Sequence, residues 1–410
     1  MNNGTMENIK KEKKHSLPKG WEIKKLGEVC EVIVGQSPEG KFYNSEGKGM
    51  PFYQGKKEYG KKFIGKPTTW TTKITKEAEA GDILMSVRAP VGPVNFATQR
   101  ICIGRGLSAI RAGNEINKEF LYNFLLMNEN KIKGNEGAVF NSINKTQIEN
   151  IPTPLPPLSE QRRIVSILDK CFSAIERSRN NAEQNLKNAK EIFESYLNKV
   201  FISSTDSKTK HKNWEEKKLG EIAEIEYGFT DKAKVKGDFR YIRITDIDNE
   251  GLLSDREKVY INSNVEAQNF ILNNNDLLMA RTGATFAKVL LYEEKEPSIF
   301  ASYLIRIKFN IKVENKLYWY FSKSPNYWKQ ANSLSSGAAQ PQFNGNALKQ
   351  IVFTFPKSKD EQRQVVKELD TLRIETQKLE SIYQKKILLL EELKKSILQK
   401  AFNGELIMDN

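Results

Sequence analysis

Histidine is almost missing from this chain: two in 410 residues, His15 and His211. One sits in a polar, lysine-rich leader and the other in a Lys/Ser/Thr stretch, neither a place where a folded active site forms. Histidine-dependent general-base or nucleophile chemistry is thereby excluded. Cysteine is scarce as well. Cys30, Cys102 and Cys171 lie far apart with no C-x-x-C pair, so no structural zinc, other metal centre or disulfide framework is expected. No apolar run approaches the roughly 18 residues of a membrane helix. Met1 to Lys14 lacks the apolar segment of a secretory signal, and a cytoplasmic protein is the expectation. Acidic residues are outnumbered, 51 against 65 lysines and arginines, leaving a net charge of +14. Such an excess fits a polyanionic partner, because lysines that neutralise phosphates release condensed counterions. A soluble, lysine-rich surface is the alternative reading.

What is present is a sequence written twice. Trp21-Glu22-Ile23-Lys24-Lys25-Leu26-Gly27-Glu28 returns as Trp214-Glu215-Glu216-Lys217-Lys218-Leu219-Gly220-Glu221, and Glu160-Gln161-Arg162 as Glu361-Gln362-Arg363. From the second match the copies run without a gap to Phe201 and Phe402. The period is too long for a solenoid. It is a domain-sized duplication, which predicts a pseudo-dimer with an approximate two-fold axis, suited to a bipartite partner such as double-stranded DNA.

Residues 1–15 read as a disordered leader and 16–157 as a first α/β (α+β) domain. Short apolar runs such as Asp82-Ile83-Leu84-Met85-Ser86-Val87 and Arg100-Ile101-Cys102-Ile103-Gly104 predict strands. Lys118 to Asn128 carries apolar residues at helical spacing. Ser159 and Asp360 are the expected caps of two long helices, 158–202 and 358–406. A polar linker, 203–213, leads to a second α/β domain, 214–357. In the second helix Leu369, Leu372, Thr376, Leu379, Tyr383, Lys386, Leu390, Leu393 and Ile397 follow a heptad seam. Leu168, Cys171, Ile175, Ser178, Ala182, Asn185, Ala189, Ile192 and Tyr196 match it in the first. The helices are expected to pack as an antiparallel coiled coil, with Ala182 and Ala189 facing bulkier residues such as Tyr383 and Leu390.

Several motifs mimic chemistry without completing it. Gly60-Lys61-Lys62-Phe63-Ile64-Gly65-Lys66-Pro67 has proline where a phosphate-binding loop needs Ser or Thr for magnesium. No good helix follows Gly104-Arg105-Gly106, which reads as a strand turn. Ser324-Pro325-Asn326-Tyr327 lacks the second proline of the amino-methyltransferase motif. No cofactor site is expected, and no catalytic residue.

The proline-rich start of the first helix (Pro154-Leu155-Pro156-Pro157-Leu158-Ser159-Glu160-Gln161-Arg162), the run Asp82 to Gly92 and the tail Phe402-Asn403-Gly404-Glu405-Leu406 resemble the specificity subunit of type I restriction–modification systems. The likeness covers about residues 16 to 406. The second domain's exit, Ile351 to Lys357, departs from the proline-rich spelling. The resemblance implies two target-recognition domains in tandem, separated by the helices and bound to two adenine methyltransferase subunits, with motor–nuclease subunits completing a restriction enzyme. It implies a non-catalytic role, against the alternative of an autonomous methylase or nuclease carrying its own target domains.

The two copies share a scaffold and differ at its polar tips, which points to a bipartite, asymmetric target. A helix from Ser166 to Phe201 would be about 54 Å long, on the order of 15 base pairs, and would act as a ruler for the spacer. The candidate DNA contacts are Gln54, Lys56, Arg88, Arg105, Arg243, Thr245, Arg281 and Thr282, at strand ends beside glycines, with Arg88 and Arg281 at nearly corresponding places. Arginine can fork onto guanine and glutamine can pair with adenine. Gln36, Thr230, Gln340 and Asn344 are weaker candidates.

Overall fold

The computed structural model describes residues 18–132, 142–201, 213–254, 256–335 and 342–406. The expected leader, the linker up to residue 212, both histidines and Gln340 lie outside the described residues. The helices of the described residues include α1 (Lys118–Met127), α2 (Leu158–Val200), α3 (Asn315–Phe321) and α4 (Lys359–Phe402). The chain packs as two compact units, residues up to Ala182 with those from Lys385, and Glu183–Gln384. Each unit therefore holds part of both long helices.

Unit 1 is built from β1 (Glu22–Lys25), β2 (Cys30–Val34), β3 (Tyr43–Asn44), β4 (Met50–Tyr53), β5 (Trp70–Thr71) and β6 (Glu77–Ala78). To these it adds β7 (Ile83–Ser86), β8 (Val94–Phe96), β9 (Ile101–Ile103), β10 (Leu107–Ala112) and β11 (Pro152–Leu155). An antiparallel sheet runs β2-β10-β7-β8, and a mixed sheet β3-β5-β4-β9-β6 contains the parallel pair β4/β9. Strand β7 is buried on both faces. Ile83 and Met85 point to the core under α1, while Leu84 points to the core shared with Ile101 and Ile103. That placement explains its unbroken apolar run, where a half-exposed strand would alternate.

Unit 2 repeats the plan with β12 (Trp214–Lys218), β13 (Ala223–Tyr227), β14 (Phe239–Ile242), β15 (Tyr260–Ile261) and β16 (Leu277–Ala280). Strands β17 (Val289–Leu291), β18 (Ser298–Phe300), β19 (Leu304–Phe309) and β20 (Val352–Pro356) complete it. Its antiparallel sheet runs β13-β19-β16-β17, and β14 pairs in parallel with β18. The repeated Lys-Leu-Gly-Glu has a steric cause. A Cβ on Gly27 would lie 2.8 Å from Glu149 Cβ, and one on Gly220 2.9 Å from Lys349 Cβ. Only glycine lets these segments approach so closely.

The helix starts differ from the expected caps. The N–H groups of Glu160 and Gln161 both donate to Pro157 O, and Gln362 N donates to Ser358 O. Ser159 and Asp360 thus lie inside the first turn, where Asp360 favours the helix dipole without capping. The repeated glutamine carries the architecture. Gln161 Nε2 donates to Glu115 O (3.0 Å) and Pro156 O (2.8 Å), while its Oε1 accepts from Asn117 N (2.6 Å). Gln362 does the same with Lys312 O, Pro356 O and Glu314 N. Both side chains are fully buried, so each ties a long helix to the loop that opens α1 or α3. Gln161→Leu or Gln362→Leu leaves these buried backbone groups unsatisfied and should cost about 2–4 kcal/mol. Urea denaturation of the full chain checks it, and a cost below about 1 kcal/mol would contradict the assignment.

The helices pack along an antiparallel seam: the start of α2 joins the end of α4 in unit 1, and the reverse holds in unit 2. Leu168, Ile175, Ala182, Ala189, Leu369 and Thr376 are buried as the heptad reading expects. Tyr196, Tyr383, Leu390 and Ile397 stay half-buried, but at the alternate seam positions the inward place shifts by one residue. Ile192 is 49% exposed and Leu379 and Leu393 are 38% and 47% exposed, and Asn185 and Lys386 are also outward. Leu186, Phe193 and Ile387 turn inward in their neighbourhoods. A helix of 3.6 residues per turn drifts about 20° per heptad against a 3.5 repeat, and over several heptads the drift moves the inward position by one residue.

Candidate nucleic-acid interface

In unit 1 three chain segments converge at one end of the mixed sheet. After β2 the chain crosses Gly104, where a Cβ on Gly35 would stand 2.2 Å from Gly104 O. Gln36 N donates to Ile103 O, and Gly104 N to Tyr53 O. This brings Ser37, Gln54 and Arg105 to the rim of a cleft of about 780 Å³ that Phe52, Lys57 and Thr69 also line. Lys56 begins the one-turn 3₁₀ helix Lys56–Glu58 that follows Gln54. Three of the expected contacts thus come together. Lys56, Lys57 and Arg105 carry no ion pair among the described residues. Beneath them Tyr53, donating to Gly65 O (2.9 Å), has its phenol pushed up to about 12 by burial and by the charge of Glu58. It stays neutral as part of the floor.

The same framework recurs in unit 2 with other side chains. A Cβ on Gly228 would meet Ala301 O at 2.2 Å, Phe229 N donates to Phe300 O, and Ala301 N to Ile242 O. The place of Gln54 is taken by Arg243 and that of Arg105 by Ser302. Arg243 is already engaged: Nη2 reaches Asp246 Oδ1 at 3.0 Å and Glu257 O at 3.1 Å. Thr245 is exposed beside it. Thr285 Oγ1 donates to Ile244 O (3.1 Å), which joins this turn to the one after β16 that carries Arg281 and Thr282.

Arg88 and Arg281 lie one position apart in the two units. Ile143 N donates to Val87 O, and Phe343 N to Arg281 O, while Arg88 bridges Ser142 and Thr282 bridges Gln342. Arg88 is therefore the counterpart of Thr282. Arg88 is exposed and has no ion pair among the described residues. Arg281 is half-buried. Its guanidinium stacks 4.8 Å from the Tyr227 ring, Nη1 donates to Ser302 O, and buried Nε has no hydrogen-bond partner among the described residues. Gln36 and Thr230 are exposed at the tips, and Asn344 caps the following helix by accepting from Ala347 N. Sequence reasoning missed Ser37, Lys57, Tyr227 and the exposed Tyr303. For Ser37 and Tyr227 the signal was position beside the paired glycines Gly35 and Gly228.

The methyltransferase-like Ser324-Pro325-Asn326-Tyr327 is structural. Ser324 Oγ accepts from Tyr327 N, and the buried Tyr327 hydroxyl donates to Ala287 O (2.6 Å). Burial holds that phenol well above its ordinary range. Among the described residues no three metal-ligating side chains cluster, and no helix is long and apolar enough to cross a membrane.

The profile of the type I restriction modification DNA specificity domain matches residues 18–184 and again 211–388. The chain belongs to this family. It is 40% identical over 195 residues to a Methanocaldococcus jannaschii protein assigned as the MjaX specificity subunit, spanning 47% of this chain and 46% of that one. So the chain spans about half the length of this relative. A second relative from the same organism, the type I restriction enzyme MjaVIII specificity subunit, is 23% identical across 98% of this chain and 97% of its own length. Among solved structures, the HsdS subunit from Thermoanaerobacter tengcongensis matches with TM-score 0.65 at 19% identity, covering 96% of this chain and 99% of that one. A chain from work on complex assembly and conformational transition of the type I R-M system matches with TM-score 0.77 at 18% identity, covering 95% and 99%. These structural likenesses share the fold: tandem mixed α/β domains and two long helices.

Proposed function

We propose that the chain is the non-catalytic DNA-recognition subunit of a type I restriction–modification complex. Each unit reads one half of a bipartite, asymmetric target. The long helices set the unspecified spacer and dock two adenine methyltransferase subunits, and motor–nuclease subunits join them for restriction. The observation that carries this reading is the pairing of one scaffold with two sets of polar tips. The same strand ends present Gln54 and Arg105 in unit 1 and Arg243 and Ser302 in unit 2, as two readers of different sequences require. Leu388 (63% exposed) and Leu389 (51% exposed) on α4 are apolar side chains that a docked subunit would cover.

The test is methyl transfer from labelled S-adenosylmethionine to DNA. The purified chain alone should transfer nothing, and with its methyltransferase subunits it should direct methylation to one split site. Arg243→Ala with Arg281→Ala should relax the second half-site by about tenfold or more while sparing the first. An unchanged second half-site would remove both arginines from the reading surface.

A further inference from the structure

We propose that Ser37 is a positioning residue for base reading in unit 1, holding Gln54 with its amide nitrogen turned outward. The inference rests on the DNA-recognition reading above. Ser37 Oγ accepts from the backbone N–H of Arg105 at 3.1 Å and stands 2.9 Å from Gln54 Oε1. An amide oxygen can only accept, so the hydroxyl proton is directed at Gln54 Oε1. The Gln54 amide then faces the cleft with its NH₂, which has no hydrogen-bond partner among the described residues. The same turn in unit 2 closes without a hydroxyl: Ser302 N donates to the backbone carbonyl of Phe229 (2.9 Å). Turn closure alone therefore does not call for a serine. Ser37 links the Gln54 side chain to the backbone of Arg105.

The polarity has a consequence for recognition. Pairing with adenine uses both ends of a glutamine amide, as acceptor and donor. A glutamine displaying its NH₂ favours an edge of acceptors, guanine N7/O6 or thymine O4. The Ser37 hydroxyl occupies one of the two Oε1 lone pairs, which weakens the adenine pairing expected from residue type and favours a guanine or thymine position in the first half-site.

The experiment uses the full chain with its methyltransferase subunits on a randomised-target DNA library, with methylated molecules sequenced. Ser37→Ala should lower discrimination about tenfold at one position of one half-site, the position relaxed by Gln54→Ala, and leave the other half-site's profile intact. Ser37→Thr should restore it. Gln54→Glu, which replaces the NH₂ by an acceptor, should shift that position toward cytosine, whose N4 donates. Reduced yield with an unchanged sequence profile in Ser37→Ala would make Ser37 merely structural and overturn the proposal. So would different positions relaxed by the Ser37 and Gln54 variants, or adenine at the Gln54 position. A wild-type complex that methylates without sequence preference would overturn the functional reading as well, a result separate from any effect of Ser37.

Discussion

Deleting seven residues from the middle of α2 and seven from the facing stretch of α4 should abolish methylation of the native target, by at least about 100-fold, and create a target with a shorter spacer. Helix α2 has 43 residues and α4 has 44. At 1.5 Å per residue the loss shortens each helix by about 10 Å, close to three base pairs. Seven residues also fall only about 20° short of two full turns, so the buried seam is kept. The spacer change is therefore separable from unfolding. Removing five residues from each helix instead turns the seam by roughly 140° and should destabilise the chain, which serves as the control. Three base pairs rotate a half-site by about 100° around the duplex, so a reader displaced by that angle no longer meets its bases. Methylome sequencing of a host carrying the variant reads the outcome. An unchanged native spacer would show that the helices do not set it.

Much of this arrangement was legible because the repeat is sharpest where packing is most demanding. Gln161 and Gln362 satisfy the same three backbone groups in both units, so the sequence could not drift there. Strand β7 was visible from its apolar run since it is covered on both faces. The seam was legible at Ala182, Ala189, Tyr383 and Leu390 but not at the alternate positions, because a strict heptad ignores the drift of a straight helix, and Ile192 and Leu393 follow the pattern while facing solvent. The candidate site was legible as a set of places but not as a set of free groups. Nothing local in Arg243-Ile244-Thr245-Asp246 says that the arginine is forked onto the aspartate three residues on. Residue type also hid the counterpart of Arg88, which is set by backbone bridges to Ser142 and by those of Thr282 to Gln342.

Phe201→Ala, a change at the end of the first long helix, should loosen unit 2 and leave unit 1 largely intact. Phe201 is fully buried, 5.6 Å from the ring of Phe321 at the end of α3, and Asn326 Nδ2 donates to its carbonyl (3.0 Å). Its counterpart Phe402, from the second long helix, instead meets Phe120 (5.0 Å) and Phe124 (5.6 Å) on α1 in unit 1. Each copy of the repeat thus supplies the plug for the other copy's core. This exchange gives the Phe-Asn-Gly-Glu-Leu tail a packing role and places both helix ends under selection for shape. Deleting a buried phenylalanine side chain costs about 3–5 kcal/mol, a large part of a domain's net stability. Hydrogen exchange followed by mass spectrometry resolves the two units. With Phe201→Ala, protection should fall by about two to four orders of magnitude in α3 and β20, converted from that cost, while α1 and β7 keep theirs. Phe402→Ala should give the mirror result. If each phenylalanine protected the domain that precedes it in sequence, the exchange of helix ends would be wrong.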